Sequence, residues 1–113
     1  MKTLGLIGGM SWESTETYYR LINEGVKLRC GGLHSAKIVL FSVDFAEVEA
    51  LQVQNRWDEA GALLGDAALA VERGGADMVM ICTNTMHKVA DMVADLLSVP
   101  LIHIADATAG RII

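Results

Sequence analysis

Apolar and polar residues follow two rhythms along this chain. Short unbroken apolar runs recur, and between them lie longer stretches whose apolar positions are spaced three and four apart. The first rhythm suits strands covered on both faces, as in a parallel sheet, and the second suits amphipathic helices. Thr3–Gly8 reads as the first strand and Gly8-Gly9-Met10-Ser11 as a tight turn. A helix is expected over residues 14–30, with Tyr18, Tyr19, Ile22 and Val26 on one face and Gly31-Gly32 as its stop. Residues 36–43 read as a second strand, and 44–51 as a short helix capped by Asp44. A longer helix is expected over 56–73, where Trp57, Ala60, Leu64, Ala67, Ala68 and Val71 form one stripe. Gly74-Gly75 end it and lead into a third strand starting at Met78. Met86, Val89, Ala90, Val93 and Leu97 then predict a helix over 85–97. Pro100 introduces a fourth strand over 101–104, and Asp106 starts a last helix. Strand–helix alternation with short loops predicts an α/β fold: a four-stranded parallel sheet flanked by helices, joined by right-handed crossovers.

Composition narrows the class. A length of 113 residues is one domain's worth of chain, and at that size roughly 65% of the unfolded surface is buried. Apolar residues make up 52% and mean hydropathy is +0.37, which buried strands and Ala-rich helices account for. No apolar run approaches the roughly 20 residues that span a bilayer, and the brief run after Met1 meets Glu13 too soon for a signal peptide. The net charge of −5, with acids and bases interspersed, argues against a nucleic-acid or anionic-membrane surface. Two cysteines, Cys30 and Cys82, without a pairing pattern fit a reducing cytoplasm.

Candidate chemistry concentrates in Met78-Val-Met-Ile-Cys-Thr-Asn-Thr-Met-His87, where an apolar strand switches abruptly to small polar residues. Open α/β sheets hold ligands at the carboxyl ends of their strands. There Cys82, Thr83, Asn84 and Thr85 offer a thiol, two hydroxyls and an amide beside the first free N–H groups of a helix, a place that favours anions. Asn84 also suits a helix cap, and Cys82 also suits a buried small apolar residue. Gly5-Leu-Ile-Gly8-Gly9 lacks the spacing and the distal acid of a dinucleotide fingerprint, so these glycines read as a backbone turn. His34, His87 and His103 show no zinc-ligand spacing, and no metal site is expected.

Two motifs, Gly8-Gly9-Met10-Ser11-Trp12-Glu13-Ser14-Thr15 and Cys82-Thr83-Asn84-Thr85-Met86-His87, together resemble the cofactor-independent aspartate/glutamate racemase family, closest to its amino-acid racemases of broad or L-Asp/L-Glu specificity. The resemblance runs the length of the chain. It implies an enzyme without a cofactor, built from two α/β domains of similar size with the active site in the cleft between them. Each domain of such an enzyme supplies one acid/base residue, a cysteine before Asn-Thr in the first half and before Thr-Glu in the second. On this reading residues 1–113 are the first domain. No Cys-Thr-Glu occurs in the sequence, so the second domain is expected to be missing and this half alone to be inactive.

The chemistry fits the pattern. Inverting a Cα centre needs a base on one face and an acid on the other, and donors for the charge that builds on the substrate carboxylate. One departure matters: the position before Asn-Thr holds Thr83, with Cys82 one step earlier. A helix N-terminus lowers a thiol's pKa, which favours Cys82 as base. Neighbours on a strand point to opposite faces, which favours Thr83 facing the substrate with Cys82 packed behind it. The expected site is therefore Thr83 or Cys82 for proton transfer, Asn84 and Thr85 for the α-carboxylate, and Met10 and Ser11 from the first loop. Gln52 is the candidate for the side-chain carboxylate of a small amino acid or dicarboxylate. The alternatives are a non-catalytic dicarboxylate-binding or dimerisation module, or a relative resembling maleate isomerases and arylmalonate decarboxylases. A homodimer is a further expectation, since a half of this kind exposes its apolar cleft wall.

Overall fold

The computed structural model describes residues 1–83, 87–102 and 108–113. Nine elements follow in order: β1 (Thr3–Gly8), α1 (Trp12–Cys30), β2 (Lys37–Ser42), α2 (Phe45–Val53), α3 (Trp57–Arg73), β3 (Met78–Ile81), α4 (His87–Leu96), β4 (Leu101–Ile102) and α5 (Thr108–Ile112). The four strands form one parallel sheet in the order β2-β1-β3-β4.

Alternation along β1 and β3 divides the core into two layers. Leu4, Leu6, Met78, Met80 and Cys82 face one side, where Ile22 and Val26 of α1 and Ile112 of α5 cover them. Ile7, Val79 and Ile81 face the other, against Leu64, Ala67, Ala68 and Val71 of α3 and Val89 and Val93 of α4. The expected stripe on α3 is the buried one: Ala60, Leu64, Ala67, Ala68 and Val71 are all at most 2% exposed. That helix lies unusually close to the sheet. A Cβ added at Gly5 of β1 would stand 2.8 Å from Val71 Cγ2 and 2.9 Å from Ala76 Cβ. Its ends carry the charges the dipole favours, Asp58 and Glu59 in the first turn and Arg73 in the last.

Three expectations need adjusting. Tyr19 is half exposed, whereas Tyr18 packs against the buried layer, because successive helical residues stand about 100° apart and only one of the two can face the sheet. The second strand spans two residues fewer than expected and is an edge, with Leu40 and Phe41 more than 40% exposed. α1 begins earlier than predicted, directly after Ser11. The Asp44 cap stands where it was expected, its carboxylate accepting from the Ala46 N–H at 3.1 Å. Asp106 and the distal part of the expected fourth strand lie outside the described residues. No described helix is long and apolar enough to cross a membrane.

Candidate active site at the sheet's switch point

β1 and β3 are adjacent, yet their chains leave in opposite directions. After β1 the chain enters α1, on one face of the sheet, and runs to β2; after β3 it enters α4, on the other face, and runs to β4. The strand order therefore reverses between β1 and β3, and the loops that follow them separate there. In open α/β sheets that is the ligand crevice. The two loops start at one level, since Ile7 and Ile81 are register partners and the Cys82 N–H donates to the Ile7 carbonyl at 2.9 Å.

The first loop is held from both sides. The Gly8 carbonyl accepts from the Val43 N–H at 2.8 Å, beyond the end of β2. The Gly9 N–H donates to Thr15 Oγ1 at 2.9 Å, on the first turn of α1. Gly9 has φ +96°, a left-handed backbone that glycine adopts without strain, and a side chain there would strike the Val43 backbone. Met10 then turns inward and is 6% exposed in the α3-side core, so its backbone is the part left for a ligand. Ser11 is exposed, its hydroxyl 3.4 Å from that of Ser14. Gln52 is half-buried near the end of α2.

In the second loop, Cys82 is 1% exposed, on the α1 side of the core with Met78 and Met80. Burial pushes its thiol up to about 12, opposite to the lowering expected from a helix N-terminus. Tyr18 packs on the same layer, and its phenol is held above the usual tyrosine value by burial and by Cys82. Thr83, the next residue, is half-buried. Asn84, Thr85 and Met86, like His103, lie outside the described residues. Cys30 and Cys82 are both free thiols, and no three His, Cys, Asp or Glu residues cluster as metal ligands among the described residues. A groove of about 570 Å³ between β2, α2 and α3 includes none of Met10, Ser11, Gln52 or Thr83.

Sequence reasoning missed Thr15 as more than one letter of a motif. Its side chain, 6% exposed, is the buried polar one among the described residues. The only available hint was a hydroxyl residue six positions after a glycine pair, a weak signal because Ser and Thr are common near helix starts. Also unforeseen was Trp12, the first residue of α1, which is 64% exposed.

Comparison with known proteins gives this geometry a family. The model of the Asp/Glu/hydantoin racemases matches residues 7–113. A solved protein from Yersinia pestis, provisionally assigned as an Asp/Glu racemase, is 59% identical, superposes with a TM-score of 0.90, and is covered over 49% of its length by 99% of this chain. An aspartate racemase homologue from Pyrococcus horikoshii OT3 is 33% identical, with a TM-score of 0.78 and the same coverage. The chain thus spans about half the length of these relatives and superposes on that half along nearly all of its own. A parallel sheet with two loops parting at its switch point, matched by both sequence and fold, makes this chain a member of the Asp/Glu/hydantoin racemase family.

Proposed function

We propose that this chain is the first half of a cofactor-independent racemase for aspartate, glutamate or a similar small acidic amino acid, working in the cytoplasm. The observation that carries the reading is that the Gly8–Ser11 loop and the Cys82-Thr83 stretch leave adjacent strands at one level, at the switch point of a racemase-family fold. Asn84 and Thr85 bind the α-carboxylate, the Met10 backbone and Ser11 contribute from the facing loop, and Gln52 meets the side-chain carboxylate. Thr83 takes the proton-transfer position on the first face. The burial of Cys82 supports a packing role for that residue, since a thiol protonated up to about 12 is no base at neutral pH.

A racemase breaks the Cα–H bond on one face, carries the electron pair into the carboxylate, and returns a proton from the other face. The opposite-face group comes from a second α/β half. Trp12 and Phe45, which open α1 and α2 at the carboxyl edge of the sheet, are 64% and 38% exposed and give that half an apolar surface to cover. A threonine hydroxyl is a weak base, so proton removal is faster from the enantiomer whose hydrogen faces the second half.

The test joins this chain to the second half of the Yersinia pestis relative and follows solvent deuterium into Cα of L- and D-aspartate and glutamate. Deuterium should enter, and faster from one enantiomer than the other. If the joined protein binds succinate but no deuterium enters any of the four amino acids, the chain is a small-acid binding module and the racemase reading is wrong.

A further inference from the structure

We propose that Thr15 is a positioning residue of this site, one that fixes which backbone donors of the first loop reach a substrate carboxylate. The inference rests on the racemase reading and adds a residue to it. Three independent contacts converge on Thr15. Its Oγ1 accepts the Gly9 N–H at 2.9 Å in a buried setting. The same hydroxyl donates to the Ser11 carbonyl at 3.4 Å, so one side chain spans both ends of the loop. Its side chain also fills the space beside Gly8, where an added Cβ would lie 2.5 Å from Cγ2 and 2.6 Å from Oγ1. Val43 holds the opposite side, its N–H donating to the Gly8 carbonyl at 2.8 Å.

A glycine-rich turn after a first strand ordinarily offers its amides to an anion. In this loop the first of those amides is already taken. With the Gly9 N–H bound to Thr15, the donors left for a carboxylate are the Met10 and Ser11 N–H groups and the Ser11 hydroxyl, none of which donates to another described residue's backbone. Thr15 thereby sets the register of the loop: it withdraws one donor and locks the peptide from which the next two project. Because charge grows on the substrate carboxylate as the proton leaves, misplaced donors weaken the transition state more than the ground state.

Thr15→Val keeps the volume and loses the hydroxyl, whereas Thr15→Ser keeps the hydroxyl and loses a methyl group. In the joined two-half protein, exchange at Cα per folded molecule should fall about tenfold to a hundredfold in the valine variant, mostly in kcat. The serine variant should recover most of the loss. If the valine variant melts earlier but exchanges at the parent rate, or falls only in KM, Thr15 is a packing residue and the proposal is overturned while the racemase reading stands. If the parent protein exchanges no deuterium, both fall together. A measurement on the unsubstituted protein guards against a variant that does not fold. By NMR hydrogen exchange, the Gly9 amide should be protected with and without succinate, and the Met10 and Ser11 amides should gain protection only when it binds. A Gly9 amide that exchanges freely in the absence of ligand would overturn the proposal.

Discussion

Adjacent positions at the end of β3 live in different surroundings. Cys82 is sealed under α1 and Thr83 is half-buried at the loop that follows. The consequence for Cys82 can be measured without any substrate. Unfolded, its thiol loses the proton near 9; folded, it keeps it up to about 12. Between those values the native state binds more protons than the unfolded one. The contribution is therefore fully present below pH 9 and declines by about 1.4 kcal/mol per pH unit as pH rises toward 12. Comparing urea unfolding of the parent chain and Cys82→Ala should show a stability gap near neutral pH that narrows above pH 9. A gap that stays constant to about pH 11 would mean the thiol is not desolvated. Strand alternation made the inward packing of Cys82 legible in the sequence; its pKa direction was not. A helix N-terminus and a buried layer pull a thiol in opposite directions, and only the fold shows how deep the sulfur lies.

The elements themselves were largely readable because their periodicities are strong. The α3 stripe was found residue for residue apart from Trp57, which is only partly buried. Less legible was β2: an apolar run reads alike in a central and an edge strand, and the sheet order is decided by crossovers far along the chain. The Tyr18-Tyr19 pair shows a related limit, since an aromatic pair marks a helix face only to within one residue. The approach of α3 to β1 is likewise invisible in a hydropathy pattern, although Gly5 is its trace. Gly5→Ala should destabilise the fold by about 1–3 kcal/mol, because the new methyl meets Val71, whose χ1 a helix holds near one rotamer, and the Ala76 Cβ, which cannot rotate away. Thermal or denaturant melting checks this. An unchanged or raised stability would show that α3 withdraws at little cost.

For the whole molecule, the central expectation concerns function in halves. Two proton-transfer groups on opposite faces are needed to invert a carbon, and this chain's proton-transfer candidates, Cys82 and Thr83, both follow the one strand β3. The 113-residue chain alone is therefore expected to racemise aspartate and glutamate negligibly, with activity appearing as a second racemase half is titrated in. Full turnover by the purified chain would show that a single half, or two copies of it, completes the site. At this scale the two-motif pattern pointed to a candidate site, and the fold brings the starts of both motifs to adjacent strand ends. The opposite-face group was not legible, because neither motif offers one and the proposed reading assigns it to a second half.

The placement of β1 at the centre of the sheet also governs how the fold can be assembled. It pairs with β2 on one side and β3 on the other, and the hydrogen bond from the Thr3 N–H to Asp77 beside the β3 pairing joins residues 74 apart in sequence. Parallel strands have no hairpin to bring them together, so each pairing waits on a loop closure whose entropy comes before its reward. During synthesis β1 keeps one bare edge until Met78 has emerged, well after α3 is complete. Both layers of the core need β3, which contributes Met78 and Met80 to one and Val79 and Ile81 to the other. The fold therefore closes late, and the last segment to arrive in the centre of the sheet is the one that carries Cys82 and Thr83 to the switch point.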